Sequence, residues 1–166
     1  MLDTFKLGVL KTLTASLEQI TIANGYQHDM GESVYRGRLL FTQEDSIPAV
    51  AINEPPQIPE GMEWPSTSNT GPTTHPLLVQ GFVEDDQKNP TDPAYRLLGD
   101  VQKRLSYERT REEGFDILGL GKRITALHIG QAVVRPPDAV ISGDSFFWLP
   151  ITLVYAEDLQ NPFAWP

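Results

Sequence analysis

The stretch Asp144 to Glu157, DSFFWLPITLVYAE, constrains the fold more than any other part of the chain. Alternation puts Phe147, Leu149, Ile151, Leu153 and Tyr155 on one side and Phe146, Trp148, Pro150, Thr152 and Val154 on the other. A strand that is apolar on both faces needs protein above and below it. Pro150 has no N–H to give a neighbour, which predicts an edge position or a bulge. An apolar edge in turn needs a cover. The chain runs on into LQNPFAWP, and its two large aromatics predict a docked tail over 159–166, with Phe163 and Trp165 each filling a pocket, in a groove formed by neighbouring subunits or a partner in preference to the chain's own sheet.

Upstream, the pattern changes with a different period. Leu2, Phe5, Val9, Leu10, Leu13, Leu17 and Ile20 recur at three- and four-residue steps and predict a helix over 3–20, capped by Asp3 or Thr4. Period two then predicts strands over 33–38, 47–53 and 77–83. Between the last two lies a span from Glu54 to Pro76 with six prolines, two glycines and six serines or threonines, which reads as a long arm without regular structure. Met62 and Trp64 are its large apolar anchors. A second helix is predicted over 93–106, capped by Asp92, with Pro93 at the first position and Leu97, Leu98, Val101 and Leu105 as its stripe. The charged and glycine-rich stretch 106–122 reads as a second arm, and one long strand is predicted from Arg123 to Arg135. The order of elements predicts an α+β fold in one domain, 1–166: an antiparallel or mixed sheet of about four to five strands, two helices on one face, and long loop arms.

Charge narrows the function classes. With 13 basic and 22 acidic residues the chain carries −9, which disfavours sequence-independent binding to phosphate backbones. The span Arg96 to Arg123 holds seven of the 13 basic residues and five acids, near +2, while the remainder is near −11. That span is either a solvated helix end or a patch for an acidic partner, such as another copy of the chain. Nothing approaches the roughly 18 apolar residues of a membrane span, and the N-terminal stretch lacks the pattern of a secretory signal. With no cysteine, disulfides and the common zinc fingers are excluded.

Catalytic and ligand motifs fail in turn. Gly114 and Gly119 have phosphate-loop spacing, but Leu120 stands where the lysine belongs, so a turn is the better reading. His28, His75 and His128 are too scattered for a metal pair, and His128 reads as a satisfied or interface histidine. Ser145 lacks a nucleophile elbow. The acid pairs Glu44–Asp45, Glu112–Glu113 and Glu157–Asp158 are sequence neighbours and point apart. No catalytic residue, cofactor or metal is expected.

Several stretches taken in order do carry a resemblance. They are Asn24-Gly25-Tyr26, Val34-Tyr35-Arg36-Gly37-Arg38, Ile47-Pro48-Ala49-Val50, and the helix through Tyr95 and Asp100-Val101-Gln102-Lys103. Arg135-Pro136-Pro137, Tyr155-Ala156-Glu157-Asp158 and Asn161-Pro162-Phe163 complete the set. The chain resembles the tail-terminator (tail-completion) proteins of tailed bacteriophages over most of its length, and departs from them in the length of the arm at 54–76. The resemblance implies a structural virion protein, assembled in the host cytoplasm, that forms a homo-oligomeric ring, most simply of six. Such a ring ends the tail tube on one side and meets the head connector on the other. DNA passes through its lumen without specific binding, which suits an acidic ring. The candidate interface residues are Trp64, Arg109, Arg111, Trp148, Phe163 and Trp165. Another neck component, such as a head-closure or connector protein, shares the same size, acidity and ring habit; a soluble enzyme is the remaining alternative.

Overall fold

The computed structural model describes residues 1–42, 44–56 and 68–163. Its helices are α1 (Phe5–Glu18) and α2 (Asp92–Thr110), and its strands are β1 (Val34–Arg36), β2 (Ala49–Asn53), β3 (Thr70–Val83), β4 (Ile124–Ile129), β5 (Val133–Arg135) and β6 (Ser145–Asp158). They form an α+β fold around one mixed sheet ordered β1-β2-β3-β6-β4, with β5 also on β6. Only β1 and β2 run parallel.

The two helices share the sheet's inner face. Phe147, Leu149, Ile151, Leu153 and Tyr155 of β6 are buried, as the alternation predicts, against Phe5, Val9, Leu13 and Leu17 of α1 and Leu97, Val101 and Leu105 of α2. Leu2, placed on the helical stripe by its spacing, lies before the helix and is exposed. Thr4 caps α1, its Oγ1 accepting from Leu7 N at 3.2 Å. At α2, Asp92 stands inside the first turn with Pro93, and Thr91 occupies the cap position.

The edge position expected for the last strand is overturned. β6 is central, paired with β3 on one side and with β4 and β5 on the other. Gly130 N donates to Pro150 O at 2.8 Å, so the Pro150 backbone points toward the β4–β5 side. Opposite it, the chain takes four steps from Ile129 to Val133 while β6 takes three from Ile151 to Trp148. One extra residue bulges out where an N–H is missing. The expected bulge thus exists, but on the partner, and it splits the single strand expected over 123–135 into β4 and β5.

The same parity admits two prolines to β3. Pro72 and Pro76 pair with Ala156 and Thr152, residues in step with Pro150, so their nitrogens face away from β6. On that side β2 reaches only to Leu78. The arm expected over 54–76 is therefore strand from Thr70 onward, because no ladder bond is lost at either proline. Likewise α2 continues to Thr110, four residues beyond its expected end.

The outer face carries a smaller aromatic row. Tyr35, Phe41, Phe82, Phe146 and Trp148 succeed one another at centroid distances of 5.6, 4.5, 6.3 and 5.5 Å. Phe41 comes from the loop after β1, and Arg38 lies 4.7 Å from the centroids of both Tyr35 and Phe41 while pairing with Asp45. This loop covers the Tyr35–Phe82 part of the outer face; along β6, Trp148 and Val154 stay half-buried and Pro150 exposed.

Gly81 and Phe147 face each other across the β3–β6 ladder, and a Cβ built on Gly81 would collide with the fully buried Phe147 ring. Gly81→Ala is expected to destabilise the protein by about 1–3 kcal/mol in urea denaturation. Gly99, exposed on α2 with nothing near its Cβ position, gives the opposite sign: Gly99→Ala should stabilise by about 0.5–1 kcal/mol. Equal effects at both positions would contradict this packing.

Candidate functional site

α2 is lashed to its surroundings by two buried acids. Asp100 accepts from the backbone N–H groups of Gln27 and His28 at 2.9 and 3.0 Å and lies 2.7 Å from His28 Nδ1, fixing the turn after α1. Two turns on, Glu108 is 1% exposed. Its Oε1 accepts from Ser16 Oγ of α1 at 2.7 Å and from Arg104 at 2.6 Å, and Arg111 reaches its Oε2 at 3.2 Å. The arginines sit at i−4 and i+3, so one helical face gathers the cluster.

Arg111 passes the connection to the following segment. Its second amino group lies 3.4 Å from Asp116 Oδ2, and Asp116 Oδ1 accepts from Gly121 N at 2.9 Å. Between them Glu112, Glu113 and Leu118 hold left-handed φ angles of 44°, 59° and 58°. Left-handed backbone costs roughly 1–2 kcal/mol per such residue, so the Arg111 anchor holds a strained loop in one shape. This loop presents Phe115 to solvent, and Tyr107 near the end of α2 is exposed as well.

A second polar cluster sits at the α1 end of the sheet. His75 of β3 and Tyr155 of β6 are buried, with Tyr155 Oη 3.0 Å from His75 Nδ1. Glu54 Oε1 is 3.5 Å from His75 Nε2, long for a hydrogen bond. Burial lowers the pKa of His75, and Lys6 pushes the same way against the pull of Glu54. Burial raises the Tyr155 phenol, with Glu157 and Glu54 adding to it. Both shifts favour the neutral forms; Tyr155 Oη and His75 Nδ1 share a hydrogen bond, while the buried His75 Nε2 has no hydrogen-bond partner among the described residues.

Of the six sequence-derived interface residues, the four described ones sit on different parts of the fold. Arg109 is exposed, near the end of α2. Arg111 pairs within its own chain, with Glu108 and Asp116 each taking one of its amino groups, and its side chain remains a third exposed. Trp148 is half-buried on the outer face against Phe146, and its Nε1 has no hydrogen-bond partner among the described residues. Phe163 is 49% exposed, so the described residues of its own chain provide no full pocket for it. The tail is pinned just before it, where Phe5 N donates to Pro162 O at 2.8 Å, leaving the ring itself outside the core. Trp64 and Trp165 lie outside the described residues.

Sequence reasoning missed features that could serve an interface. A cleft of about 420 Å³ opens beside α1 at the end of β1 and β2, with Leu7, Leu10, Leu39, Ile52 and Leu77 in its walls. At the other end of the strands, the turn before β6 exposes Val140 and Ile141. Paired aliphatics in the loops 37–48 and 136–144 were the available signal. Among the described residues no group of acids, histidines and cysteines has the makings of a metal site. No described helix is long and apolar enough to cross a membrane. No family model matches this chain, and no curated protein matches it.

Two outcomes are expected from the buried clusters. Glu108→Gln leaves Arg104 and Arg111 without their carboxylate and should cost about 3 kcal/mol in denaturant unfolding, the low end for a broken buried pair because Arg111 is a third exposed. A loss near zero would show that the cluster does not tie α1 to α2. His75, held neutral in the fold, takes up its proton more readily when unfolded, so stability is complete above the unfolded pKa and declines as pH falls below it. The melting temperature should drop between about pH 7.5 and 5.5, and His75→Asn should remove that component. A wild-type melting temperature flat across this range would count against it.

Proposed function

We propose that this protein is a structural component of a bacteriophage virion that assembles into a ring, closes the tail tube and joins the tail to the head connector. The observation that carries the reading is the ordered set of stretches, from Asn24-Gly25-Tyr26 to Asn161-Pro162-Phe163, that resembles tail-terminator proteins. Features of the fold support it. Leu39 and Leu40, Val140 and Ile141, and Leu159 and Phe163 are aliphatic or aromatic pairs left exposed at separate places. Scattered patches of this kind suit a subunit contacted by several neighbours. The polar clusters have structural work: Asp100 and Glu108 each accept from another part of the chain, and His75 Nδ1 bonds Tyr155 across the sheet.

A ring of copies built from head-to-tail contacts needs two different surfaces on each subunit. The net charge of −9 makes such a ring strongly acidic, which keeps passing DNA from adhering. A head-closure or connector protein is the second reading, favoured by the same acidity.

Negative-stain microscopy with light scattering on the purified protein, alone and with tail tubes, tests the proposal. Rings, most simply of six, are the expected result. A monomer at every concentration, absent from purified tails, would overturn it. Capture by tail-tube protein rather than by portal-side proteins separates the terminator from the other neck components.

A further inference from the structure

The loop from Pro136 to Asp144 is built as a knob. Asp138 and Ser142 exchange backbone hydrogen bonds of 2.7 and 2.9 Å, and Asp138 Oδ1 accepts from Val140 N at 2.7 Å and Ile141 N at 3.4 Å. The carboxylate thus staples the turn from inside and leaves two branched aliphatics at its tip, Val140 93% and Ile141 49% exposed. A loop serving only as a connection has no use for apolar residues held rigid in water.

A hollow of matching chemistry exists at the diagonally opposite corner. The knob lies at the β5–β6 edge, beyond the start of β6; the cleft lies at the β1 edge, where β1 and β2 end. From Leu77 in the cleft wall to Val83 at the knob end is six strand steps, roughly 20 Å, so the knob does not reach its own cleft. The walls are aliphatic, and Leu39, 72% exposed, stands on the cleft's own lining.

Charge agrees with the pairing. The knob rises from an end that carries Glu84, Asp85, Asp86 and Asp144, and burial together with Asp85 and Glu84 raises the Asp144 carboxyl. Arg36 lines the cleft and Lys6 precedes Leu7 on α1. Glu54, the acid in the wall, lies 3.5 Å from His75 Nε2 and remains more than half exposed, opposing the two cations in part.

We infer that Val140 and Ile141 insert into the α1–β1–β2 cleft of a second copy of this chain. Knob and cleft then form the two unlike halves of a head-to-tail contact. This rests on the ring reading above and gives it its geometry: each subunit offers its knob to one neighbour and its cleft to the other. Two aliphatic side chains do not fill a standard interface; they are its buried anchor, around which the charged surfaces close.

The absence of cysteine makes the test clean. A chain carrying both Val140→Cys and Leu39→Cys, oxidised after purification, is expected to give a ladder of disulfide-linked oligomers on a non-reducing gel, whereas either substitution alone stops at dimers. Independently, Val140→Asp with Ile141→Asp should weaken assembly at least about tenfold, since the cleft would have to desolvate two carboxylates. Its circular dichroism and melting temperature should stay unchanged, because both residues are exposed. Ile22→Asp, exposed elsewhere on the surface, should assemble normally. If wild-type rings form but the double cysteine chain does not ladder and the double aspartate assembles within about twofold of wild type, the inference is overturned while the ring stands. Cross-linking through Val140→Cys only to a tail-tube or connector protein would also overturn it. A wild-type chain that never assembles sinks both.

Discussion

The ladder between β3 and β6 is the interaction on which the rest of the structure depends. It is continuous from Thr70↔Asp158 to Val83↔Ser145, and every other sheet element attaches to one of its two strands directly or through β2. A ladder of this length fixes register strongly, since a slip of one residue would turn Phe147, Leu149, Ile151, Leu153 and Tyr155 from the helices into the outer face. Its three prolines are compatible with it only because all three nitrogens point out of the β3–β6 pair. The bulge that separates β4 from β5 follows from Pro150, and so does the short β5 that launches the knob.

The helices are held on the sheet by apolar burial and then placed by polar ties. Apolar contacts between two stripes tolerate sliding; the buried carboxylates of Asp100 and Glu108 do not. Each meets donors from a different part of the chain: the turn after α1 for Asp100, α1 itself and the loop after α2 for Glu108. A buried ionised group left unpartnered is costly, so these ties favour a single arrangement. The strained loop 111–121, which displays Phe115, inherits its shape from that arrangement through Arg111.

What remains outside the core gives the molecule its character. One face of the sheet is covered by helices; on the other, a loop carrying Phe41 and Arg38 packs over Tyr35 and Phe82 and leaves Pro150 exposed and Trp148 and Val154 half-buried. Uncovered apolar groups stand at loop tips, in the cleft beside α1, on α2 at Tyr95 and Tyr107, and on β5 at Val133. A subunit whose two corners are an aliphatic knob and an aliphatic cleft is complete as a fold and incomplete as a surface.

The sequence by itself determined the elements whose signals are local. The stripes of α1 and α2, the alternation along β6 and the α+β class are legible because a helix or strand repeats its buried side every few residues, whatever it packs against. The tertiary structure alone decided the rest. Pro150 reads as an edge residue until a bulged neighbour is known to stand opposite it, and Pro72 and Pro76 read as loop until their parity with β6 is known. Glu108 lies in YERTREE, a run that looks solvated; only Ser16, far away in the sequence, and a helix four residues longer than its signals make it a buried tie. The arginines at i−4 and i+3 were the local hint. His75 is likewise ordinary until Tyr155 arrives from the opposite strand. Phe163 shows the limit from the other side, since an apolar side chain in sequence states a preference for burial and cannot name the surface that provides it. Burial and pairing between distant segments are properties of the assembled chain, and local pattern does not carry them.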